Sequence, residues 1–352
     1  MREMREVNNK IVRSLLNSLL PVLAAFILGA FIIMYIGEDP METYGILITK
    51  SLFTKKGILN TLHFAAPLIL TGLATAVTFK ANIYNMGVEG QLLLGGFFAG
   101  IVGASLPEMN PLLAKAICLA TGIGCGMLFA LLPALLKAKF DVNEMVVTLM
   151  LNYAMLKFLE FLTTGVFRDQ AAGYVATPTI ERQAMFTCIG NSHLTAFFFI
   201  VLILFIAMYV LMNKSTLGFE LTSVGKNPEF AEACGMNVSR KIIVLMLISG
   251  ALAGAAGAGW MMGEEYKFTL GFSANPGLGW DGMLIALLGG HSPLGILISS
   301  IFYAALKTGS DSINLYTSVP KEIVFIIQGI IILFLSVKFI SAKKQLGKKK
   351  EA

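Results

Sequence analysis

The sequence predicts an all-α polytopic membrane protein of about ten transmembrane or re-entrant helical segments. Three observations predict it. The chain is 56% hydrophobic and only 14% charged, too apolar for an ordinary soluble domain. Apolar runs long enough to cross a bilayer recur along its whole length. The net charge of +6 sits at the N-terminus (Arg2, Arg5, Lys10, Arg13), in alternate loops and at the C-terminus (Lys343, Lys344, Lys348, Lys349, Lys350). That is the positive-inside pattern, so the charge reports topology and not a nucleic-acid partner.

The segments follow in order. The apolar stretch 14–36 is too long for a signal-peptide core and no cleavage site follows it, so it reads as the first span. Residues 37–56 would then lie outside. Lys50, Lys55 and Lys56 break the charge rule there, but Glu38, Asp39 and Glu42 accompany them, and 43–53 suits the outer interface. Spans follow at 57–79, 88–106, 110–136, 143–165, 194–213 and 241–262. The inner loops carry Lys80, Lys137, Lys139, Lys214, Lys226, Arg240 and Lys241; the outer loops 166–193 and 263–280 carry only Arg168, Arg182 and Lys267.

The apolar region 281–307 is broken midway by Gly289-Gly290-His291-Ser292-Pro293. One continuous span here would place the lysine-rich tail outside. Two short segments, crossing or re-entrant, return it to the cytoplasm, with Gly279-Trp280-Asp281-Gly282 expected at their outer end. There Asp281 reads as a cap and Trp280 as an interfacial anchor. A last span at 320–340 leaves both termini cytoplasmic. The chain is expected to be one membrane domain, 1–352, embedded over 14–340, with a cytoplasmic loop at 214–240 and a basic tail at 341–352.

Polar groups at membrane depth are costly, so their positions carry information. The densest set joins the second and third spans: Asn82, Asn85, Glu89 and Gln91, with Gly87 and Gly90 between them. It fits a broken helix lining a cavity; an ordinary tight cytoplasmic turn is the alternative. A second set opens the fifth span: Asn143, Glu144, Thr148 and Asn152. Thr148 and Asn152, at i and i+4, share a face, which suits either a pathway or a helix–helix contact. Small residues crowd 71–76 and 249–257, where close helix packing in lipid is expected.

The loop 225–237 has its own start and stop. Asn227 can cap a helix, Pro228 suits its first position, and Gly235 suits the left-handed residue after its last turn. Phe230, Ala233 and Cys234 would form a small apolar face. A helix lying on lipid and a helix docking a cytoplasmic partner both fit.

Other chemistry finds no support. No G-x-x-x-x-G-K-[ST], HExxH or GxSxG occurs, so neither ATP binding by this chain nor hydrolytic catalysis is expected. Cys118, Cys125, Cys188 and Cys234 form no CxxC pair, and His63, His193 and His291 are scattered in sequence, so no metal site is expected.

Taken together, these motifs resemble the permease subunits of bacterial ATP-binding-cassette importers of the branched-chain amino acid and simple-sugar type, most of all the nucleoside permeases. The resembling residues are Asn85–Gln91, Val142–Glu144 with Thr148–Tyr153, Gly225–Asn237, Ser249–Gly254, and Ala286–Gly289 with Ser292–Gly295. They run in order from about residue 57 to 338. Met86 departs mildly from the isoleucine usual between Asn85 and Gly87.

The resemblance implies an import permease for nucleosides, purine nucleosides such as guanosine among them, in a bacterial cytoplasmic membrane. Asn82, Asn85, Glu89, Gln91, Asn143, Glu144, Thr148 and Asn152 would belong to the substrate pathway. Gly225, Asn227, Pro228, Phe230, Ala231, Ala233 and Gly235 would form the docking surface for a cytoplasmic ATPase. That ATPase would use the ATP, and this chain would bind no cofactor. A second, non-identical permease chain and an external substrate-binding lipoprotein would complete the assembly. The same architecture carrying simple sugars or branched-chain amino acids, and an ion-coupled secondary transporter, are the alternatives.

Overall fold

The computed structural model describes residues 26–35, 37–273, 276–317, 326, 329 and 330. Most of the predicted first and last spans and the whole basic tail lie outside the described residues. The chain's main elements are helices: α1 (Phe26–Tyr35), α2 (Pro40–Ile48), α3 (Lys55–Phe79), α4 (Val88–Ser105), α5 (Pro111–Phe140), α6 (Glu144–Thr164), α7 (Phe197–Lys214), α8 (Thr216–Lys226), α9 (Pro228–Ala233), α10 (Val238–Trp260, extended by a π turn to Glu265), α11 (Leu270–Ser273), α12 (Leu278–Leu288) and α13 (Pro293–Tyr316). Six of these, α3 to α7 and α10, are long and apolar enough to cross a membrane. The six predicted spans 57–79, 88–106, 110–136, 143–165, 194–213 and 241–262 fall on them, within four residues at each end.

Residues 62–301 form one unit, and residues 1–61 with 302–352 another. In the second unit, Asp39 caps α2 by accepting from the Met41 N–H at 2.8 Å, with Pro40 in the first helical position. The Tyr44 hydroxyl donates to the Phe26 carbonyl at 2.8 Å. Ile33, Leu47, Leu306 and Ile313 are buried together.

The larger unit is built on α4, α5 and α10, whose contact faces are glycine. A Cβ on Gly95 would come within 2.7 Å of the Gly254 Cα, and one on Gly126 within 2.9 Å of the same atom. One on Gly96 would stand 3.0 Å from the Gly257 carbonyl oxygen. Side chains are excluded, so the helix backbones approach closely and gain dispersion contacts that lipid cannot match. The small-residue stretch 249–257 does what its composition suggests. The stretch 71–76 packs elsewhere: a Cβ on Gly72 would meet Ile296 on α13 and Ile285 on α12.

The loops of this unit gather at two ends. At the basic end, Lys80 donates to the Met212 carbonyl in the last turn of α7 at 3.1 Å, Lys137 pairs with Glu144 at 3.3 Å, and Lys241 pairs with Glu220. At the opposite end, Gln183 bonds the Pro107 carbonyl and the Met109 N–H, and the Thr177 and Ile180 N–H groups bond the Phe268 and Tyr266 carbonyls.

The broken region 281–307 becomes two helices, α12 and α13, turning at Gly290 and His291, both at positive φ. The His291 ring lies 5.7 Å from that of Phe79, at the basic end. Gly279–Gly282 opens α12 at the end away from the basic end, as expected, but inside the membrane and not at its outer surface. The Gly277 and Gly279 N–H groups bond the carboxylate of Glu89, in the first turn of α4. The next residue, Gly90, bonds Asn152, eight residues or about 12 Å along α6 from its basic-end start. At 11 residues α12 is a half-helix that starts at membrane depth.

Candidate functional site: a polar layer inside the helical unit

After α3, the chain turns at residues 80–82 and then climbs back along α6 without forming a helix. The Tyr84 N–H donates to the Glu144 carboxylate at 3.2 Å, the Met86 N–H to the Thr148 hydroxyl at 3.0 Å, and the Gly90 N–H to the Asn152 side-chain oxygen at 2.9 Å. The Asn152 amide donates back to the Met86 carbonyl. Four- and eight-residue steps along one helix face supply these partners because successive turns stack. The irregular backbone at this depth is tolerable because its polar groups are met by side chains.

Asn85 is the centre of a second set of bonds. Its amide donates to Gln91 at 3.1 Å and to the Ser249 hydroxyl at 2.8 Å. Its oxygen accepts from the Gly87 N–H at 2.9 Å. Ser249 on α10 donates to the Ala74 carbonyl of α3 at 2.7 Å. Asn85, Glu89, Gln91, Thr148, Asn152 and Ser249 are all buried. They tie α3, α4, α6, α10 and α12 together at one level, and their hydrogen-bonding capacity is largely used internally.

The eight predicted pathway residues therefore divide. Asn85, Glu89, Gln91, Thr148 and Asn152 form the interior layer. Glu144 is buried at the start of α6, between Tyr84 and Lys137. Asn143 is the exposed N-cap of α6, accepting from the Met145 and Val146 N–H groups. Asn82 is exposed at the basic end, at φ 55°, and its amide donates to the Gly225 carbonyl. Neither Asn82 nor Asn143 joins the interior layer. Ser249 was not among the expected site residues. The signal for it was a hydroxyl beginning a run of glycine and alanine.

The expected docking loop forms α9 with the expected caps. The Phe230 N–H donates to the Asn227 side chain at 2.9 Å, Pro228 opens the helix, and Gly235 takes φ 82°. The Met236 N–H returns to the Ala231 carbonyl at 3.0 Å, closing the last turn. Phe230 is 65% exposed, and Cys234 is exposed too, so the apolar face looks outward. Two residues of the expected surface point the other way. Ala231 is fully buried and seats the helix. At Gly225, near the end of α8, a Cβ would stand 2.9 Å from the Ala81 Cα, so this glycine permits contact between α8 and the turn after α3.

At this basic end two charges are shifted. The hydrogen bond and charge of Lys137 hold the Asp141 carboxyl below the usual carboxylate range, and burial lowers Lys80. At the opposite end, His63 and His193, distant in sequence, share one carboxylate oxygen of Glu264, each at 3.2 Å. The His63 ring lies 5.2 Å from Trp260.

The fold and this layer define a class: an all-helical, multi-span membrane protein with broken helices and a satisfied polar layer at membrane depth. The sequence pattern of the family described as "Branched-chain amino acid transport system / permease component" matches residues 57–336, and the chain belongs to that family. The Nucleoside ABC transporter permease protein NupB of Lactococcus lactis subsp. cremoris (strain MG1363) is 34% identical over 95% of this chain and 93% of its own length. The Guanosine ABC transporter permease protein NupP of Bacillus subtilis (strain 168) is 33% identical over 94% of this chain and 98% of its own. The Glucose ABC transporter permease protein TsgB13 of Haloferax volcanii is 34% identical over 90% of this chain and 85% of its own. No solved structure matches the chain significantly.

Proposed function

We propose that this chain is the membrane-spanning permease subunit of an ATP-driven importer of nucleosides, with purine nucleosides such as guanosine among its cargo. The observation that carries the reading is the near full-length similarity to two nucleoside permeases, from different organisms. The chemistry of the interior layer agrees with it. A nucleoside is neutral and carries hydroxyls and ring nitrogens. Amides and hydroxyls can exchange bonds with such groups without stranding a charge in the membrane. In this conformation Asn85, Gln91, Thr148, Asn152 and Ser249 bond one another and the backbone, so cargo passes only when that layer opens. Glu144 would guard the basic end of the route.

The driving energy comes from a separate ATPase that docks on the exposed face of α9, around Phe230 and Ala233. It acts by binding two conformations of the permease unequally. A second, non-identical permease chain and an external binding lipoprotein complete the assembly, in a bacterial cytoplasmic membrane.

A second reading, sugar import by the same machine, is favoured by the similarity to the glucose permease. The test is uptake of labelled guanosine by cells with and without this chain, with excess unlabelled uridine, ribose, glucose and leucine as competitors. Loss of uptake on deletion, with competition by uridine alone, supports nucleosides. Unchanged guanosine uptake, with glucose or ribose uptake lost instead, transfers the cargo to sugars.

A further inference from the structure

The N-cap position of half-helix α12 is Gly277, at φ 77°, which has no side chain to accept from the helix's first N–H groups. Those groups lie at membrane depth, where no bulk water can satisfy them. The acceptor comes instead from Glu89, 188 residues earlier in the chain. One carboxylate oxygen accepts from the Gly277 N–H at 3.0 Å and the other from the Gly279 N–H. Glu89 is 2% exposed, so this anchor is shielded from solvent. The approach is possible only because residue 279 is glycine: a Cβ there would stand 2.6 Å from the Glu89 nitrogen and 2.7 Å from its Cα. Gly282, one turn on, is pressed against Thr71 of α3 in the same way.

We propose that Glu89 is a positioning residue for transport: its two carboxylate oxygens hold the N-terminus of α12 against α4 inside the membrane, and this removable anchor sets where the half-helix stands during the transport cycle. The proposal rests on the transport reading above. The anchor has three properties such a role requires. It joins two elements distant in sequence. It uses both oxygens of one side chain, so it is held or lost as a unit. It ends a helix that turns back at Gly290 and His291, so α12 is bounded by a breakable contact at one end and a turn at the other. Glu89 also starts the helix that the interior layer secures through Gly90 and Gln91, so displacement of that layer reaches α12 through it.

The test uses the full chain with its partner subunits. Glu89→Gln keeps the size but offers one acceptor, and its amide would face a backbone N–H. Gly279→Ala keeps the carboxylate and blocks the approach. Glu89→Asp keeps both oxygens on a shorter stem. Two readouts are taken. The first is amide hydrogen exchange over residues 276–281 of the purified chain in lipid discs. The second is the split between the maximal rate and the half-saturating concentration of labelled guanosine uptake.

The expected result is faster exchange confined to 276–281 in Glu89→Gln and Gly279→Ala. With it, maximal uptake should fall roughly tenfold or more, as loss of a buried hydrogen bond implies, at little-changed half-saturation. Glu89→Asp should fall between these and the parent. Unchanged exchange and uptake in Glu89→Gln would overturn the proposal. So would faster exchange throughout the chain, which would make Glu89 a general folding residue. If the parent chain takes up no guanosine, the transport reading fails, while the exchange data still decide whether Glu89 holds α12.

Discussion

Asn152→Ala is the sharpest perturbation of the interior layer. Asn152 is 2% exposed, and its side chain makes two bonds to the backbone: it accepts from Gly90 and donates to the Met86 carbonyl. Met86 lies in the non-helical stretch entering α4 and Gly90 in the first turn of α4, where backbone N–H groups have no partner within the helix. Interhelical side-chain bonds in membrane proteins average about 0.6 kcal/mol each, which gives about 1.2 kcal/mol for two. That average is low because the unfolded reference in lipid finds other partners. Stranding a buried backbone group costs about 1–3 kcal/mol. Here both partners are main-chain groups fixed between α4 and α6, so the second effect should dominate, with a total of about 2–3 kcal/mol.

The assay is unfolding of the purified chain by sodium dodecyl sulfate in mixed micelles, followed through its two tryptophans, Trp260 and Trp280. Asn152→Asp should lose at least as much, because it sets a carboxylate oxygen against the Met86 carbonyl at a buried position. Thr148→Val removes the acceptor for the Met86 N–H, and combined with Asn152→Ala it should be non-additive, since both secure the same residue. A loss below about 0.5 kcal/mol for Asn152→Ala, the scale of an ordinary surface change, would refute the claim that this stretch is held by α6.

Three further outcomes follow from other parts of the structure. Gly254→Val should destabilise by at least about 1–3 kcal/mol, the cost of overpacking, because a Cβ there already meets the Gly122 carbonyl carbon at 2.9 Å; Gly124→Ala on α5, with nothing within 4 Å, is the neutral control in the same unfolding assay. Phe230→Asp should leave folding intact, since Phe230 is exposed, yet abolish co-purification with the ATPase and with it uptake; retained binding would remove α9 from the docking surface. Asp141, with its carboxyl held low by Lys137, contributes stability that is present above the ordinary carboxylate range and lost as pH falls through the lowered value. Asp141→Asn should therefore flatten the acid limb of stability measured from neutral pH down to about 3, by a small amount because the carboxylate is exposed.

What the sequence made legible was local or periodic. Six long spans follow from runs of apolar residues, and the caps of α9 follow from Asn227, Pro228 and Gly235 within nine residues of one another. The predicted interior polar residues Asn85, Gln91, Thr148 and Asn152 do gather, because two clusters of amides at span ends have few other places to be satisfied. What was not legible was long-range. Nothing near Ser249 announces Asn85, 164 residues away, and nothing near Gly277 announces Glu89. His63 and His193 read as scattered because their meeting point, Glu264, lies 71 residues beyond the second of them. The depth at which α12 starts was not legible either, because hydropathy does not show that Glu89 receives its first N–H groups inside the membrane. Asn82 and Asn143 stand apart from the buried layer because a few residues of helix or turn separate an exposed cap or turn from a buried partner.

The measurement closest to the central claim is guanosine uptake into proteoliposomes that contain this chain, its partner permease and the ATPase, with the binding lipoprotein and ATP supplied on opposite sides of the membrane. Uptake should need ATP on the ATPase side, ignore proton and sodium gradients, and stop when Phe230→Asp replaces the parent chain. Uptake by this chain alone, driven by an ion gradient and indifferent to ATP, would contradict it.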